Sequence, residues 1–211
     1  MENQNTKKII VKDGLGHIDT FLTNMYLPTI DFWNSIRFTP NMLTTLGLIS
    51  SSLCLYYFYH KKPLHSIIFL ILRCYFDYAD GLLARKYSLV SKFGDKYDHF
   101  VDLSFGIGFF VIIFLKSNDR KYLLPILGLF YFLFTVHMGC VENEYSKSND
   151  LHADEETTIS YLKKLCFKPK LMRYFDNGTL YIVMSIIVLY ISKEEVIKPL
   201  IKLNNPTIDI N

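Results

Sequence analysis

Five long apolar runs constrain the fold of this chain more than any other feature of its sequence. With their flanking residues, they reach or approach the roughly 20 residues that a helix needs to cross about 30 Å of hydrocarbon. The runs cover residues 39–59, 64–76, 100–115, 122–140 and 174–191. Backbone groups in lipid must be satisfied within the protein, so each run is predicted to be helical. We therefore expect an all-α, polytopic membrane helix bundle with five clear spans.

A sixth span is harder to place because the segment between the fourth and fifth runs is strongly charged. Residues 142–170 are expected to form a charged loop outside the membrane. Either a sixth helix is short and lies at the interface around residues 159–167, or the chain ends on the opposite side. The acidic cluster with His152 is expected to be a solvated part of this loop, and a metal site there is the less favoured alternative.

The chain divides into three regions. Residues 1–38 are predicted to be a polar segment followed by an interfacial helix that is interrupted at Pro28, with Tyr26 and Trp33 suited to the headgroup layer. An ordinary amphipathic helix packed on protein is an equal alternative. Residues 39–192 form the expected transmembrane domain, and residues 193–211 form a polar tail. The N-terminus lacks the pattern of a cleaved signal peptide.

The formal net charge is only +3, so bulk charge gives no reason to expect a nucleic-acid partner. The distribution of the 23 Lys and Arg residues is more informative. Fourteen of them lie on one side, which comprises the residues before the first run, those between the second and third runs, and those between the fourth and fifth runs. Eight lie on the other side, and Arg73 lies within the second run. The positive-inside rule therefore places the segment between the second and third runs at the cytoplasmic face.

A dense polar motif occupies that same segment. Its eight positions are Asp77, Asp80, Gly81, Ala84, Arg85, Gly94, Asp98 and Asp102. At about 5–8% per specified residue, a chance match in a chain of this length has a probability below roughly 10⁻⁶. The first four positions share one helix face, and the last three share another. Two antiparallel helices would therefore direct four carboxylates to one place.

Four clustered carboxylates near lipid require cations, because like charges at close range cannot all stay ionised. Oxygen donors without Cys or His suit hard cations, here Mg²⁺ or Mn²⁺. The predicted metal ligands are Asp77, Asp80, Asp98 and Asp102. Two ions roughly 3.5–4 Å apart would clamp a pyrophosphate and stabilise the entering and leaving oxygens of a displacement.

The motif resembles that of the CDP-alcohol phosphotransferases, the membrane enzymes that build phospholipid headgroups. The resemblance implies that Asp77, Asp80 and Asp98 hold the metals, and that Asp102 is the general base and also touches metal. It makes residues 39–192 a catalytic domain. The implied CDP-binding residues are Asn41, Asp77, Gly81, Ala84, Arg85 and Gly94.

The individual CDP-binding residues suit that role chemically. Gly81 and Ala84 leave room for the nucleotide against the helix, and Gly94 lets the opposing backbone approach. Arg85 offers a planar donor fork to a phosphate. Asn41 is included because the family often has Pro-Asn before its first span, as in Pro40-Asn41. A helix-capping role for Asn41 is an even alternative.

The implied reaction transfers the substituted phosphate of a CDP-alcohol to an acceptor hydroxyl and releases CMP. The implied partners are CDP-diacylglycerol or a CDP-amino-alcohol, a hydroxyl acceptor, the lipid bilayer and a possible second copy of the chain. Short stretches within residues 97–106 resemble members of the family that make amino-alcohol or serine phospholipids, and they favour such a product. The alternatives are a cation-handling channel or transporter that uses intramembrane aspartates, and a catalytically silent homologue. Carboxylates at helix ends beside a basic turn favour the enzyme.

Other residues receive simpler interpretations. Cys54, Cys74, Cys140 and Cys166 are scattered, and we expect buried, inert thiols. His137 is expected to be a helix-packing histidine. Arg73 is expected to pair with Asp77 or to reach a substrate phosphate.

Overall fold

The computed structural model describes residues 16–148 and 160–193, and within these ranges the chain is helical, without β-strands. Two 3₁₀ turns, Leu27–Thr29 and Ser160–Leu165, accompany the α-helices. The helices are α1 (His17–Tyr26), α2 (Ile30–Ser35), α3 (Pro40–Tyr59), α4 (Pro63–Lys86), α5 (Lys92–Lys116), α6 (Arg120–Ser148), α7 (Pro169–Met172) and α8 (Asn177–Ile191). This order confirms the predicted all-α bundle.

Side-chain caps fix where three of the long helices begin. Thr39 accepts a hydrogen bond from the Met42 N–H and precedes Pro40, whose fixed φ suits the first helical turn. Ser91 accepts one from the Gly94 N–H at the start of α5, and Asp176 accepts one from the Thr179 N–H at the start of α8. Each helix therefore starts at a residue that satisfies otherwise unpaired backbone N–H groups.

Within the part of the chain that the structure describes, three helices are long and apolar enough to cross a membrane, namely α3, α5 and the part of α6 from Arg120 to Glu144. The second predicted span, α4, has 24 residues and would extend about 36 Å, but its inner face carries Arg73 and two aspartates of the motif. The fifth, α8, is an apolar helix of 15 residues and extends about 22 Å. The protein is an integral membrane protein.

The five spans pack around a common apolar core. Phe58 on α3 stacks on Phe109 of α5 at 4.8 Å between ring centroids, and both side chains are fully buried. Leu70 of α4, Leu127 of α6 and Met184 of α8 belong to the same cluster. Many large apolar side chains outside this cluster are exposed, as expected for a surface that contacts lipid instead of water.

The N-terminal helices pack on α4 through a second apolar cluster, which contains Tyr26, Ile30, Ala79 and Leu83. The 3₁₀ turn Leu27–Thr29 separates α1 from α2 at Pro28, where the sequence predicts an interruption. The Trp33 indole donates to the Tyr75 hydroxyl at 2.7 Å. Helices α1 and α2 therefore pack on the protein, which is the alternative that the sequence left open for residues 21–37.

The charged segment after residue 141 differs from the predicted loop. Helix α6 continues to Ser148, so Glu142 and Glu144 lie on a helix, and the Glu142 side chain is buried with Lys163 at 3.9 Å. The partly exposed Lys163 is a partner cation for the buried Glu142, so this charged residue can remain within a helix that the sequence pattern ends earlier. The 3₁₀ turn Ser160–Leu165 matches the short helix expected near residues 159–167. His152 and residues 194–211 lie outside the described residues.

The cysteine prediction is half wrong. Cys54 and Cys74 are buried free thiols, as expected. Cys140 and Cys166, however, form a disulfide that links the C-terminal half of α6 to the residue just after the 3₁₀ turn Ser160–Leu165. Gly139 permits this approach, because a Cβ on it would lie 2.2 Å from the Leu162 carbonyl oxygen. The two cysteines are 26 residues apart, and the sequence between them does not indicate that the 3₁₀ turn packs against α6.

Candidate active site

The structure brings the four motif aspartates together but divides them between two neighbouring cavities. Asp77, Asp80 and Asp98 line the first, with a volume of about 10 Å³, together with Thr44, Gly47, Arg73 and Val101. Asp102 lines the second, with a volume of about 40 Å³. Arg73 lines both. We call these the metal cavity and the Asp102 cavity.

Three of the four carboxylates receive hydrogen bonds that fix their orientation. Asp80 accepts from the Thr44 hydroxyl at 2.6 Å. Asp77 accepts from the Asn177 side-chain amide at 2.8 Å. Asp102 accepts from the Arg73 guanidinium at 2.5 Å. Since Thr44 lies on α3 and Asn177 on α8, four helices contribute to the placement of the carboxylates on α4 and α5.

Arg73 occupies the boundary between the two cavities. Its guanidinium lies 3.8 Å from Asp77 and 2.5 Å from Asp102. The sequence predicted the pair with Asp77 but not the pair with Asp102. The rings of Phe105 and Tyr181 lie 4.4 and 5.3 Å from the guanidinium carbon. Two carboxylates and two aromatic faces together stabilise a cation that would be costly to bury alone.

The metal cavity fits divalent cations by its donor set and its size. Three carboxylates and one hydroxyl face a space about as large as one water, and a single guanidinium offsets their charge. Oxygen donors of this kind suit Mg²⁺ and Mn²⁺. Asp98, His99 and Asp102 also offer ligand atoms within 4.8 Å of one another.

His99 was not singled out from the sequence, because the motif contains only carboxylates at the metal positions. Its side chain is partly buried and lies 3.7 Å from Asp95. The spacing Asp95–His99 is i,i+4, so the pair is a local feature of α5 that sequence inspection could have found.

Of the predicted CDP-binding residues, Asp77 lines the metal cavity, and the others lie on α3, α4 and the first turn of α5. A Cβ on Gly94 would lie 2.8 Å from the Asn41 side-chain oxygen, which shows how closely α3 approaches the start of α5. A Cβ on Gly81 would lie 3.1 Å from the Arg85 guanidinium, which therefore covers Gly81. Ala84 is half-buried on the same helix. Thr39, and not Asn41, caps α3, so the capping interpretation of Asn41 is wrong.

Sequence reasoning assigned no role to Asn177, although this residue contacts the metal cavity through Asp77. Its signal is weak but present, since Asp176-Asn177-Gly178-Thr179 is a polar helix start that opens the last apolar run. Thr44 likewise received no role from the sequence. Its bond to Asp80 joins residues 36 positions apart, which no local pattern predicts.

A buried network behind Asn177 joins α1 to α8. Asp176 accepts hydrogen bonds from the backbone N–H groups of Ile18 and Asp19 at 2.8 and 3.1 Å. Asp19 in turn accepts from the Gly178 N–H at 2.9 Å and from the Tyr78 hydroxyl. Each carboxylate thus caps the other's helix. Burial, together with the neighbouring charge of Asp176, raises the pKa of Asp19 to about 6.

His137 packs against this network, as expected for a helix-packing histidine. Its side chain is fully buried, and its Nε2 lies 3.9 Å from Asp19. It lines neither of the two cavities.

Comparisons with known proteins agree with the motif. The family model described as CDP-alcohol phosphatidyltransferase matches residues 37–193, about three quarters of the chain. The chain is 38% identical over 68 residues to an archaetidylinositol phosphate synthase of Pyrococcus horikoshii, which is 32% of this chain and 36% of that protein. It is 32% identical over 83 residues to a CDP-diacylglycerol–glycerol-3-phosphate 3-phosphatidyltransferase of Rickettsia bellii, 38% of this chain and 45% of that protein.

A third relative, an uncharacterised protein of Aquifex aeolicus, is 31% identical over 75 residues, 36% of this chain and 38% of that protein. The chain therefore spans less than half the length of the curated relatives that it matches. No solved structure gives a significant match. The family model covers all eight motif positions and both cavities, and on this basis the chain belongs to the CDP-alcohol phosphatidyltransferase family.

Proposed function

We propose that this protein is an integral-membrane phosphotransferase of phospholipid synthesis. It transfers a substituted phosphate from a CDP-alcohol to an acceptor hydroxyl and releases CMP. The observation that carries the proposal is the arrangement of the four motif aspartates, three around a metal-sized cavity and the fourth around an adjoining one. The family match supports the same reaction class.

Asp77, Asp80, Asp98 and Asp102 would hold two divalent cations, Mg²⁺ or Mn²⁺. When bound, such ions neutralise a pyrophosphate and stabilise charge on the entering and leaving oxygens. The protein's contribution is to keep the carboxylates oriented before substrate arrives. Thr44 and Asn177 do this from two other helices through their bonds to Asp80 and Asp77.

The CDP moiety would lie against the small residues of α4 and the first turn of α5. Gly81 and Ala84 leave room on α4, and Asn41 and Gly94 approach from the opposite side. Arg85 is exposed, so its guanidinium can move from Gly81 onto a phosphate oxygen. These residues position the leaving group and do not take part in proton transfer.

Asp102 would accept the proton of the acceptor hydroxyl as its oxygen attacks phosphorus. Its carboxylate is partly accessible and is held by Arg73 from the α4 side. A base must come within hydrogen-bond reach of the proton that it removes, and the Asp102 cavity provides space at that carboxylate. The reaction requires no covalent enzyme intermediate.

We further propose that the active site faces the cytoplasm, as the distribution of Lys and Arg favours, and that the chain forms homodimers. The product would be an amino-alcohol or serine phospholipid. Exposed apolar residues on the outer helix faces are compatible with contact to lipid or to a second copy.

The test is CMP release by the purified protein in detergent with Mg²⁺ or Mn²⁺. CDP-diacylglycerol is paired with serine, inositol or glycerol 3-phosphate, and CDP-ethanolamine or CDP-choline with diacylglycerol. We expect CMP from at least one pair, loss of it in Asp98→Asn, and retention in the control Asp95→Asn, whose aspartate is on the same helix but lines neither cavity. Absence of CMP from every pair would contradict the proposal.

A further inference from the structure

The Asp102 cavity adjoins the metal cavity, and Arg73 is the residue that lines both. Its lining comes from α4, α5, α6 and α8. Apolar and aromatic side chains form most of it, including Phe105, Phe134, Leu180 and Met184. The polar groups at its surface are those of Arg73, Asp102, Tyr131, Asn177 and Tyr181.

Two of these polar groups are buried without a hydrogen-bond partner among the described residues. They are the Tyr181 hydroxyl and the Arg73 Nε. Both residues are more than nine-tenths buried, with exposed fractions of 8% and 5%. A buried polar group without a partner is costly, and in native structures it usually faces a water or a ligand. Together with the cavity at which they meet, these groups indicate a binding site for a small polar group.

The charges in this cavity set a limit on what can bind. Among the described residues that line it, Arg73 is the one cation, and it is already paired with Asp102 at 2.5 Å. Asp77 adds a further carboxylate 3.8 Å from the same guanidinium. A phosphate in this space would meet Arg73 alone, through its unpaired Nε, and this guanidinium already balances the charges of Asp102 and Asp77. Most of the charge of a buried phosphate would therefore lack compensation, which is strongly disfavoured.

We infer that the Asp102 cavity binds the hydroxyl-bearing end of the acceptor, and that this acceptor is an alcohol without a phosphate group. The inference rests on the proposed function. The acceptor hydroxyl donates its proton to Asp102, its oxygen forms the new bond to phosphorus, and the bond to the CMP oxygen breaks with its electron pair leaving on CMP. Tyr181 is the specificity-determining residue that hydrogen-bonds the acceptor beside the reacting hydroxyl.

This acceptor class differs from the one in the printed name of the Rickettsia bellii relative, which includes glycerol 3-phosphate.

The experiment compares acceptors that differ only by a phosphate, with CDP-diacylglycerol as donor. Glycerol is paired with glycerol 3-phosphate and inositol with inositol phosphate, and serine is added. CDP-ethanolamine with diacylglycerol completes the set. We expect the best acceptor to lack phosphate and to exceed both phosphorylated acceptors about 100-fold in kcat/KM, the order expected when a charged group is buried without its full set of partners.

If glycerol 3-phosphate or inositol phosphate is the best acceptor, the inference is wrong and the proposed function stands. If no pair releases CMP, the proposed function fails and the inference fails with it. The two failures are therefore distinguishable.

The second part of the experiment tests Tyr181 directly. Tyr181→Phe should raise the KM of the best acceptor up to about tenfold, the worth of one neutral hydrogen bond, and leave the affinity for the CDP-alcohol unchanged. The control is Tyr174→Phe, at an exposed position just before α8. Should Tyr181→Phe fail to fold, Tyr131→Phe removes another hydroxyl of the same cavity. An unchanged acceptor KM in the folded variant would overturn the assignment.

Discussion

Asn177 offers the sharpest test of how the carboxylates are held. Its side-chain amide donates to Asp77 at 2.8 Å from the first turn of α8, across 100 residues of sequence. Its own backbone N–H is directed to Asp19, so truncation to alanine leaves the backbone contact in place. Asn177→Ala should therefore release Asp77 without removing a metal ligand.

The magnitude follows from the type of bond. A hydrogen bond to a charged group contributes about 1.5–3 kcal/mol, which corresponds to a factor of roughly 10–150 in an equilibrium constant. Arg73 still lies 3.8 Å from Asp77 in the variant and keeps part of the orientation. We therefore expect the lower half of that range, a loss of about 10- to 40-fold in Mn²⁺ affinity and in single-turnover rate.

The assay measures Mn²⁺ binding and single-turnover CMP release for Asn177→Ala, with Asn24→Ala on the exposed face of α1 as control. Because Asn177 is only half-buried, the melting temperature should change by a few degrees at most. Asn177→Asp should be worse than alanine, since it would place a second carboxylate beside Asp77. Unchanged metal affinity and rate in Asn177→Ala would refute the orientation argument.

Three further outcomes follow from the site. CMP release should vanish in excess chelator and return with Mg²⁺ or Mn²⁺. Asp80→Asn should abolish both the activity and the metal dependence of nucleotide binding. Full turnover in chelator would contradict the metal site. Asp102→Asn should keep most of the affinity for the CDP-alcohol and lose turnover. Arg85→Ala should instead weaken that affinity first, by about 1.5–3 kcal/mol. Nucleotide affinity and single-turnover rate, measured for both variants, test these two roles. The pKa of Asp19 is raised from 3.8 to about 6 in the folded protein, so the folded state binds the Asp19 proton more tightly than the unfolded state does. The free energy of unfolding should therefore fall by about 3 kcal/mol as the pH rises from about 4 through 6. Asp19→Asn should flatten this dependence in denaturant titrations at several pH values, and an equally steep profile in the variant would place its origin elsewhere.

The helical architecture could be predicted from the sequence because its signals are local. Apolar runs of span length, Thr39-Pro40 at a helix start and the i, i+3, i+4 spacing of the motif each depend on residues within one helix. The motif also identified the four aspartates, which the structure indeed brings together. Their chemistry is determined by residue type and by the periodicity of two adjacent helices.

Prediction failed where an outcome depends on how distant helices meet. The disulfide between Cys140 and Cys166 requires the turn after α6 to fold back against Gly139. The burial of Glu142 requires Lys163 from the same fold-back. Neither contact leaves a periodic signal in the sequence.

The sequence by itself therefore determined that this chain is a bundle of membrane helices with a carboxylate motif at the junction of two of them. Only the tertiary structure decided that Arg73 pairs with both Asp77 and Asp102, and that Thr44 and Asn177 orient Asp80 and Asp77. The physical reason is that periodicity tells which residues share a face of one helix. The rotation and depth of that helix relative to its neighbours come from side-chain packing across the whole bundle.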